Sequence, residues 1–386
     1  MEYEQLTTAE VGVLNTLVDG GQLTRHHFPF GSIGLDSMGP MRDSSTDALF
    51  PGAAEALHSF SDTLRRYNLT LIVATNGPDK EGEDILGALS RTVFAFAITE
   101  GGGKMLTLDQ GPVILANEGE LENLRRLEEE AKKYPFLKTL LEDTDSRDGA
   151  PPMRTPYTTN IVLTLPTTYE VLQRRLYEGG VMEEDIPGIG PANYVAETLG
   201  FAAQHFKGII AQLGLHDQAT VIVKGQNRRV YVTPMHIHDG DLIKHDAAQF
   251  ASRVLAHDIF GSYLSPYALE HLVYRLENSI YVADQAVGTT DEGQRIISAS
   301  ERSMILGFDY FSTQPDEGAN ILSRHLLENE RPLPFMGDVA ARLAINVTLD
   351  DSLPRMEFVE RVPILHIGSG IKALEALAYL YRRFHN

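Results

Sequence analysis

The sequence predicts an α/β fold: a parallel sheet with crossover helices, interrupted by a second, inserted α/β unit. Three observations carry that reading. Short apolar runs alternate with helical periodicity from residue 31 to 105, the pattern of strands joined by crossover helices. Over residues 106–241 a charged helical stretch and a hairpin replace that alternation. The crossover pattern then resumes after residue 242.

Taken in order, residues 1–30 read as a helical extension. Thr7-Thr8-Ala9-Glu10 is a capping box before an amphipathic stretch, Val11 to Val18, stopped by Asp19-Gly20-Gly21. Ser32-Ile33-Gly34-Leu35 then leads into Asp36, and a helical pattern runs from Gly52 through Tyr67. The apolar run Leu69 to Ala74 ends in Thr75-Asn76-Gly77-Pro78. A helical segment, Glu81 to Leu89, precedes the run Val93 to Ile98 and the turn Glu100-Gly101-Gly102-Gly103. Ligands of such sheets bind at the carboxyl ends of strands, where Asp36, Thr75 and the glycine run fall.

The insert, 106–241, opens with one charged helix, about Glu118 to Glu142, read as a solvated face. The loop Asp143 to Pro156, rich in Asp, Gly and Pro, is the hinge candidate. A strand (Asn160 to Leu165), helices (Tyr169 to Tyr177, Ala192 to Leu213) and a hairpin follow. The hairpin joins Ala219 to Lys224 with Arg228 to Thr233 through Gly225-Gln226-Asn227. Helical Ala247 to Leu255 and the strand Ser279 to Val282 return to the core, so the core comprises 31–105 and 242–330. Residues 331–386 read as an extension with one strand-to-helix unit, Ile364 to Tyr381.

Composition narrows the function. With 386 residues, and roughly 150 per domain, about two to three domains are expected. An apolar share of 43% with 22% charged residues excludes a disordered chain. Lys and Arg number 33 against 53 Asp and Glu, a net charge of −20 that repels phosphate backbones, so no nucleic-acid partner is expected. The sequence has no Cys, which excludes a disulfide framework, a thiolate zinc site and a cysteine nucleophile. No apolar run reaches membrane-span length, and MEYEQLTTAE shows no secretory pattern. The expectation is a cytoplasmic protein with a small-molecule substrate and no membrane partner; homo-oligomerisation is left open.

An Asp closing the first core strand, a Thr closing the second, a Lys after the insert and an Asp closing a late strand stand in a telling order. Asp36-Ser37-Met38-Gly39-Pro40, Thr75-Asn76, Ile243-Lys244-His245 and Ile280-Tyr281-Val282-Ala283-Asp284 together resemble the motifs of the haloacid dehalogenase superfamily. The resemblance spans roughly residues 31–325 and is to the capped, Cof-like phosphatases, with an α/β cap between the second and third motifs. It implies a Rossmann-like core, a cap that selects a small phosphorylated substrate, such as a sugar phosphate, and Mg²⁺ as cofactor. Asp36 would be the nucleophile forming an aspartyl phosphate. Thr75 and Lys244 would hold the phosphoryl group, with Ser37 and Asn76 as further substrate-binding residues. Asp36, the Met38 carbonyl, Asp284 and, more weakly, Asp291 would hold the metal. Ile305-Leu306-Gly307 to Leu322 fits the family's closing strand and helix.

The chain departs from the family where D-x-D-G-T would place its second Asp, the general acid/base. Met38 stands there, and a thioether cannot carry the proton. The resemblance therefore implies weakened activity, or a catalytically inactive binding or assembly protein that keeps the fold. A rival fourth motif lies at Ile364-Leu365-His366-Ile367-Gly368-Ser369-Gly370-Ile371-Lys372, where Ser369 would replace the metal ligand. A competing cluster, His236, His238, Asp239 and Asp241 with His245, places nitrogen and oxygen ligands close together. It lacks the spacing of a strong metal motif and reads better as a hydrogen-bonded loop.

Overall fold

A computed structural model of the chain describes residues 5–386 apart from 44–47, 76, 108–111, 115, 117, 148, 183–188, 226–227, 235–278, 291 and 299–342. The chain divides into two units, residues 1–115 with 242–386, and residues 116–241.

Among the described residues, the first unit is built on a nine-stranded sheet. Its strands are β1 (Ser32–Asp36), β2 (Thr70–Ala74), β3 (Phe94–Thr99), β4 (Lys104–Thr107), β5 (Val113–Ile114), β6 (Ser279–Ala283), β7 (Ala344–Val347), β8 (Arg355–Val359) and β9 (Val362–Ile367). Their spatial order is β8-β9-β7-β6-β1-β2-β3-β4-β5. The six from β9 to β3 run parallel; β8 pairs antiparallel with β9 at one edge, and at the other β4 pairs antiparallel with β3 and β5 with β4. Every residue of β1, β2 and β9 is buried. Parallel strands covered on both faces are apolar throughout rather than alternating, which is why these runs are so plain in the sequence.

Helices α1 (Thr8–Asp19), α2 (Ala53–Arg66), α3 (Asp79–Ala88) and α4 (Gly370–His385) belong to this unit. The predicted capping box is formed: the Glu10 N–H donates to Thr7 Oγ1 and the Thr7 N–H to the Glu10 carboxylate. In α4, Leu374, Leu377 and Leu380 are buried in the same core as Leu57, Phe60 and Leu64 of α2. Each such leucine stabilises the fold by about 1.5–3 kcal/mol.

Three expectations about domain limits change. Of the expected extension 331–386, the described residues from 343 onward are no appendage, because β7 lies between β6 and β9 and the sheet continues through them. The N-terminal helix is tied to that tail: Glu10 pairs with Lys372 at 3.1 Å, and the Tyr379 hydroxyl donates to Asn15 at 2.6 Å. The insert begins at Ala116 rather than 106, since β4 pairs with β3 and β5 with β4 in the same sheet.

The second unit is a four-stranded antiparallel sheet with helices. Its strands lie in the order Ala219–Lys224, Arg229–Pro234, Ile161–Thr164, Arg154–Thr155. The charged stretch expected as one helix is two, Glu118–Ala131 and Pro135–Glu142. Pro135 opens the second because it cannot continue the first. The loop expected to hinge is strapped from within. Arg175, 0% exposed, reaches it with its guanidinium, which donates to the carbonyls of Arg147, Ala150 and Pro151 at 2.7, 3.1 and 2.9 Å and pairs with Asp143 at 3.3 Å. Among the described residues no helix is long and apolar enough to cross a membrane.

Candidate active site

Asp36 closes β1 and is only 4% exposed. Its partner across the ladder in β2 is Ala74, and on the other side Leu35 pairs with Val282 of β6. Thr75 follows Ala74, the last residue of β2, and Asp284 follows Ala283, the last residue of β6. Asp36, Thr75 and Asp284 therefore leave three adjacent parallel strands at their carboxyl ends.

The loop after Asp36 is shaped by its own backbone. The Ser37 N–H donates to the Ala74 carbonyl at 3.4 Å, the Met41 N–H to the Ser37 carbonyl at 3.2 Å, and the Gly39 N–H to the Arg42 carbonyl at 3.0 Å. Gly39 has φ +86°, and a Cβ there would overlap the Asp284 carboxylate. Glycine thus serves twice, by adopting the left-handed turn and by letting Asp284 in. The Ser37 hydroxyl is buried and has no hydrogen-bond partner among the described residues. Arg42, also buried, anchors the end of the loop to Asp84 of α3 at 2.7 Å.

Thr75 has a partner that the sequence does not announce. Its hydroxyl donates to the carboxylate of Glu81, in the first turn of α3, and accepts the Gly77 N–H at 2.9 Å. The resemblance assigns that hydroxyl to a phosphoryl oxygen; the structure commits it to Glu81. Gly77 makes the arrangement possible, since a Cβ there would overlap the Glu81 carboxylate. The only sequence signal for Glu81 is an acid near the start of a helix, which the helix dipole favours in any case.

The turn after β3 takes its left-handed conformation at Glu100 (φ +51°) and Gly101 (φ +66°). Glu100 pairs with Lys104 at 3.0 Å, and Lys104 also pairs with Asp79 at 2.9 Å. Burial pulls the Lys104 ammonium down, but the two carboxylates outweigh it and hold its pKa above the usual lysine value.

The rival fourth motif lies elsewhere in the sheet. β9 is the third strand out from β1, beyond β6 and β7. There the Ser369 hydroxyl caps α4 by accepting the Lys372 N–H at 3.2 Å. The tail still touches the Asp36 loop, because a Cβ on Gly370 would overlap the Pro40 carbonyl. Asn76, Lys244, Asp291, His236, His238, Asp239, Asp241, His245 and the segment 305–322 lie outside the described residues.

The buried Asp36 ends the central strand of this sheet, and an α/β unit is inserted after β5. The fold is an α/β core on a mainly parallel sheet. No family model matches the sequence, and no curated protein matches it. Solved structures of similar fold include the C-terminal domain of the Candida albicans trehalose synthase regulatory protein, at 11% identity and TM-score 0.47, covering 98% of this chain and 100% of that one. Aspergillus fumigatus trehalose-6-phosphate phosphatase matches at 8% identity and TM-score 0.41, covering 99% and 100%. The sucrose-phosphatase of Synechocystis matches at 12% identity and TM-score 0.30, covering 78% and 97%. These likenesses are loose.

Within this core, the chemistry of the donors suits a hard cation. Asp36 and Asp284 are carboxylates at neighbouring strand ends, and the loop between Asp36 and Gly39 offers backbone carbonyls. Mg²⁺ takes one or two carboxylates and keeps several waters. Among the described residues no group of three or more His, Asp or Glu gathers in metal-binding geometry, a crowding that such a two-carboxylate site does not require.

Proposed function

We propose that the protein is a Mg²⁺-dependent phosphohydrolase of the haloacid dehalogenase type, acting in the cytoplasm on a small phosphorylated metabolite such as a sugar phosphate. The observation that supports this is the buried Asp36 at the end of β1, flanked by the strands that deliver Thr75 and Asp284. In this reading an Asp36 oxygen bonds to phosphorus as the bond to the leaving oxygen breaks. Water then cleaves the aspartyl phosphate, releasing phosphate and restoring the carboxylate. Asp36, Asp284 and the Met38 carbonyl, with Asp291, hold Mg²⁺, which when bound supplies charge stabilisation for the transferring phosphoryl group. Lys244 balances the remaining charge, and Ser37 and Asn76 contact the substrate.

Met38 supplies no proton to the leaving group. General acid catalysis is typically worth 10²–10⁴-fold, about 3–5 kcal/mol of barrier. Activity is therefore strongest on activated esters, whose leaving groups depart unaided. The expected result is slow turnover of nitrophenyl phosphate, abolished in Asp36→Asn. Met38→Asp should raise turnover of sugar phosphates by about tenfold or more. A second reading, a binding or assembly protein on the same fold, is favoured by the commitment of the Thr75 hydroxyl to Glu81. It prevails if neither wild type nor Met38→Asp hydrolyses any phosphate ester while both remain folded.

A further inference from the structure

Resting on the phosphohydrolase reading, we infer that Glu81 is a tethered competitor for the phosphoryl group. Its carboxylate holds the Thr75 hydroxyl and must release it before a phosphoryl oxygen can be bound there.

The argument is one of counting. A threonine hydroxyl has a single proton to donate. That of Thr75 goes to Glu81, while its oxygen accepts the Gly77 N–H at 2.9 Å. The ionised oxygens of a phosphoryl group accept and do not donate, so they compete for the same proton. The two competitors also repel, since a carboxylate and a phosphoryl group are both anions.

The surroundings decide which part moves. The Thr75 N–H donates to the Ile98 carbonyl at 2.9 Å, the Glu100 N–H to the Gly77 carbonyl at 2.9 Å, and the Gly101 N–H to the Thr75 carbonyl at 3.3 Å. The backbone of Thr75 and of Gly77 is thus fastened to the end of β3 and the turn after it. Glu81 is the adjustable partner, a long side chain on the first turn of α3, 2% exposed. Binding at Thr75 then carries the cost of turning Glu81 away, and any group that draws Glu81 aside would switch the site on.

Titration with orthovanadate in excess Mg²⁺, followed by calorimetry, tests this on the full chain. Glu81→Met keeps the side chain's length and removes the acceptor. It should bind vanadate about tenfold more tightly than wild type, and adding Thr75→Val should erase the gain. Equal or weaker binding by Glu81→Met, or a gain that survives Thr75→Val, overturns the inference. Should Glu81→Met fail to fold by circular dichroism, Glu81→Ala is read against the same outcomes. Equal vanadate binding by wild type and variant removes only the role of Glu81. Failure of every protein to bind vanadate removes the phosphohydrolase reading, and the inference with it.

Discussion

The Asp284 carboxylate lies against the α-carbon of Gly39, in the space that a side chain would fill. One residue follows β6 and the other stands in the loop after β1, so the contact joins the two strand ends on which the proposed metal site depends.

Gly39→Ala tests this contact. Its φ of +86° costs an alanine about 1–2 kcal/mol, and the new methyl must also displace Asp284. The expected outcome is a lower Tm together with weakened Mg²⁺ binding. Asp284→Ala should lose Mg²⁺ binding while relieving the contact. Ser369→Ala should cost only its helix cap, about 1 kcal/mol, with Mg²⁺ affinity unchanged. Calorimetry with MgCl₂ on the three variants separates the two candidate fourth motifs, and equal affinity in wild type and Asp284→Ala would exclude the assignment to Asp284.

Acid should destabilise the far end of the sheet first. His366 on β9 is buried, with Nε2 at 2.8 Å from Glu357 and Nδ1 at 3.4 Å from the Asn346 side-chain nitrogen. Burial holds its pKa below the ordinary 6.5, against the opposing pull of Glu357. A group depressed in the folded state contributes stability that is complete above its unfolded pKa and is lost as the pH falls through the folded one. For Glu357 burial pushes the carboxyl up, but Arg295 and His366 outweigh it and hold it below 4.5, so its contribution is lost at still lower pH. Thermal denaturation in steps from about pH 7 to about pH 5 should show Tm falling in the wild type and falling less in His366→Gln. Identical slopes would mean that His366 does not carry the effect.

Arg175 should be the most sensitive position in the insert. Removing one partner of a buried ion pair costs about 3–5 kcal/mol, and Arg175→Ala would also remove the guanidinium's bonds to the carbonyls of Arg147, Ala150 and Pro151, the first two of which keep a backbone donor. Arg175→Lys cannot reproduce the fork and should rescue little. The expected readouts are a large loss of Tm and new proteolytic cleavage between residues 143 and 156. A variant that melts like wild type would show that the strap contributes nothing.

The core strands and most helices were legible in the sequence because each rests on local pattern. A buried parallel strand is an uninterrupted apolar run, and a helix start such as Thr7 to Glu10 is written in neighbouring residues. The order of Asp36, Thr75 and Asp284 at strand ends was readable for the same reason. What the tertiary structure alone decided depends on pairing between distant residues. No local pattern says that β7 will enter the sheet beside β6, turning the tail from an extension into part of the core. Nor could the sequence tell that Arg175 would close the loop read as a hinge, since its guanidinium reaches residues more than twenty positions away. The same holds at the site itself: Thr75 in a turn and Glu81 on a helix are each unremarkable in sequence. Only the packing of α3 against the end of β2, with no side chain on Gly77 between them, gives the hydroxyl's one proton to the carboxylate.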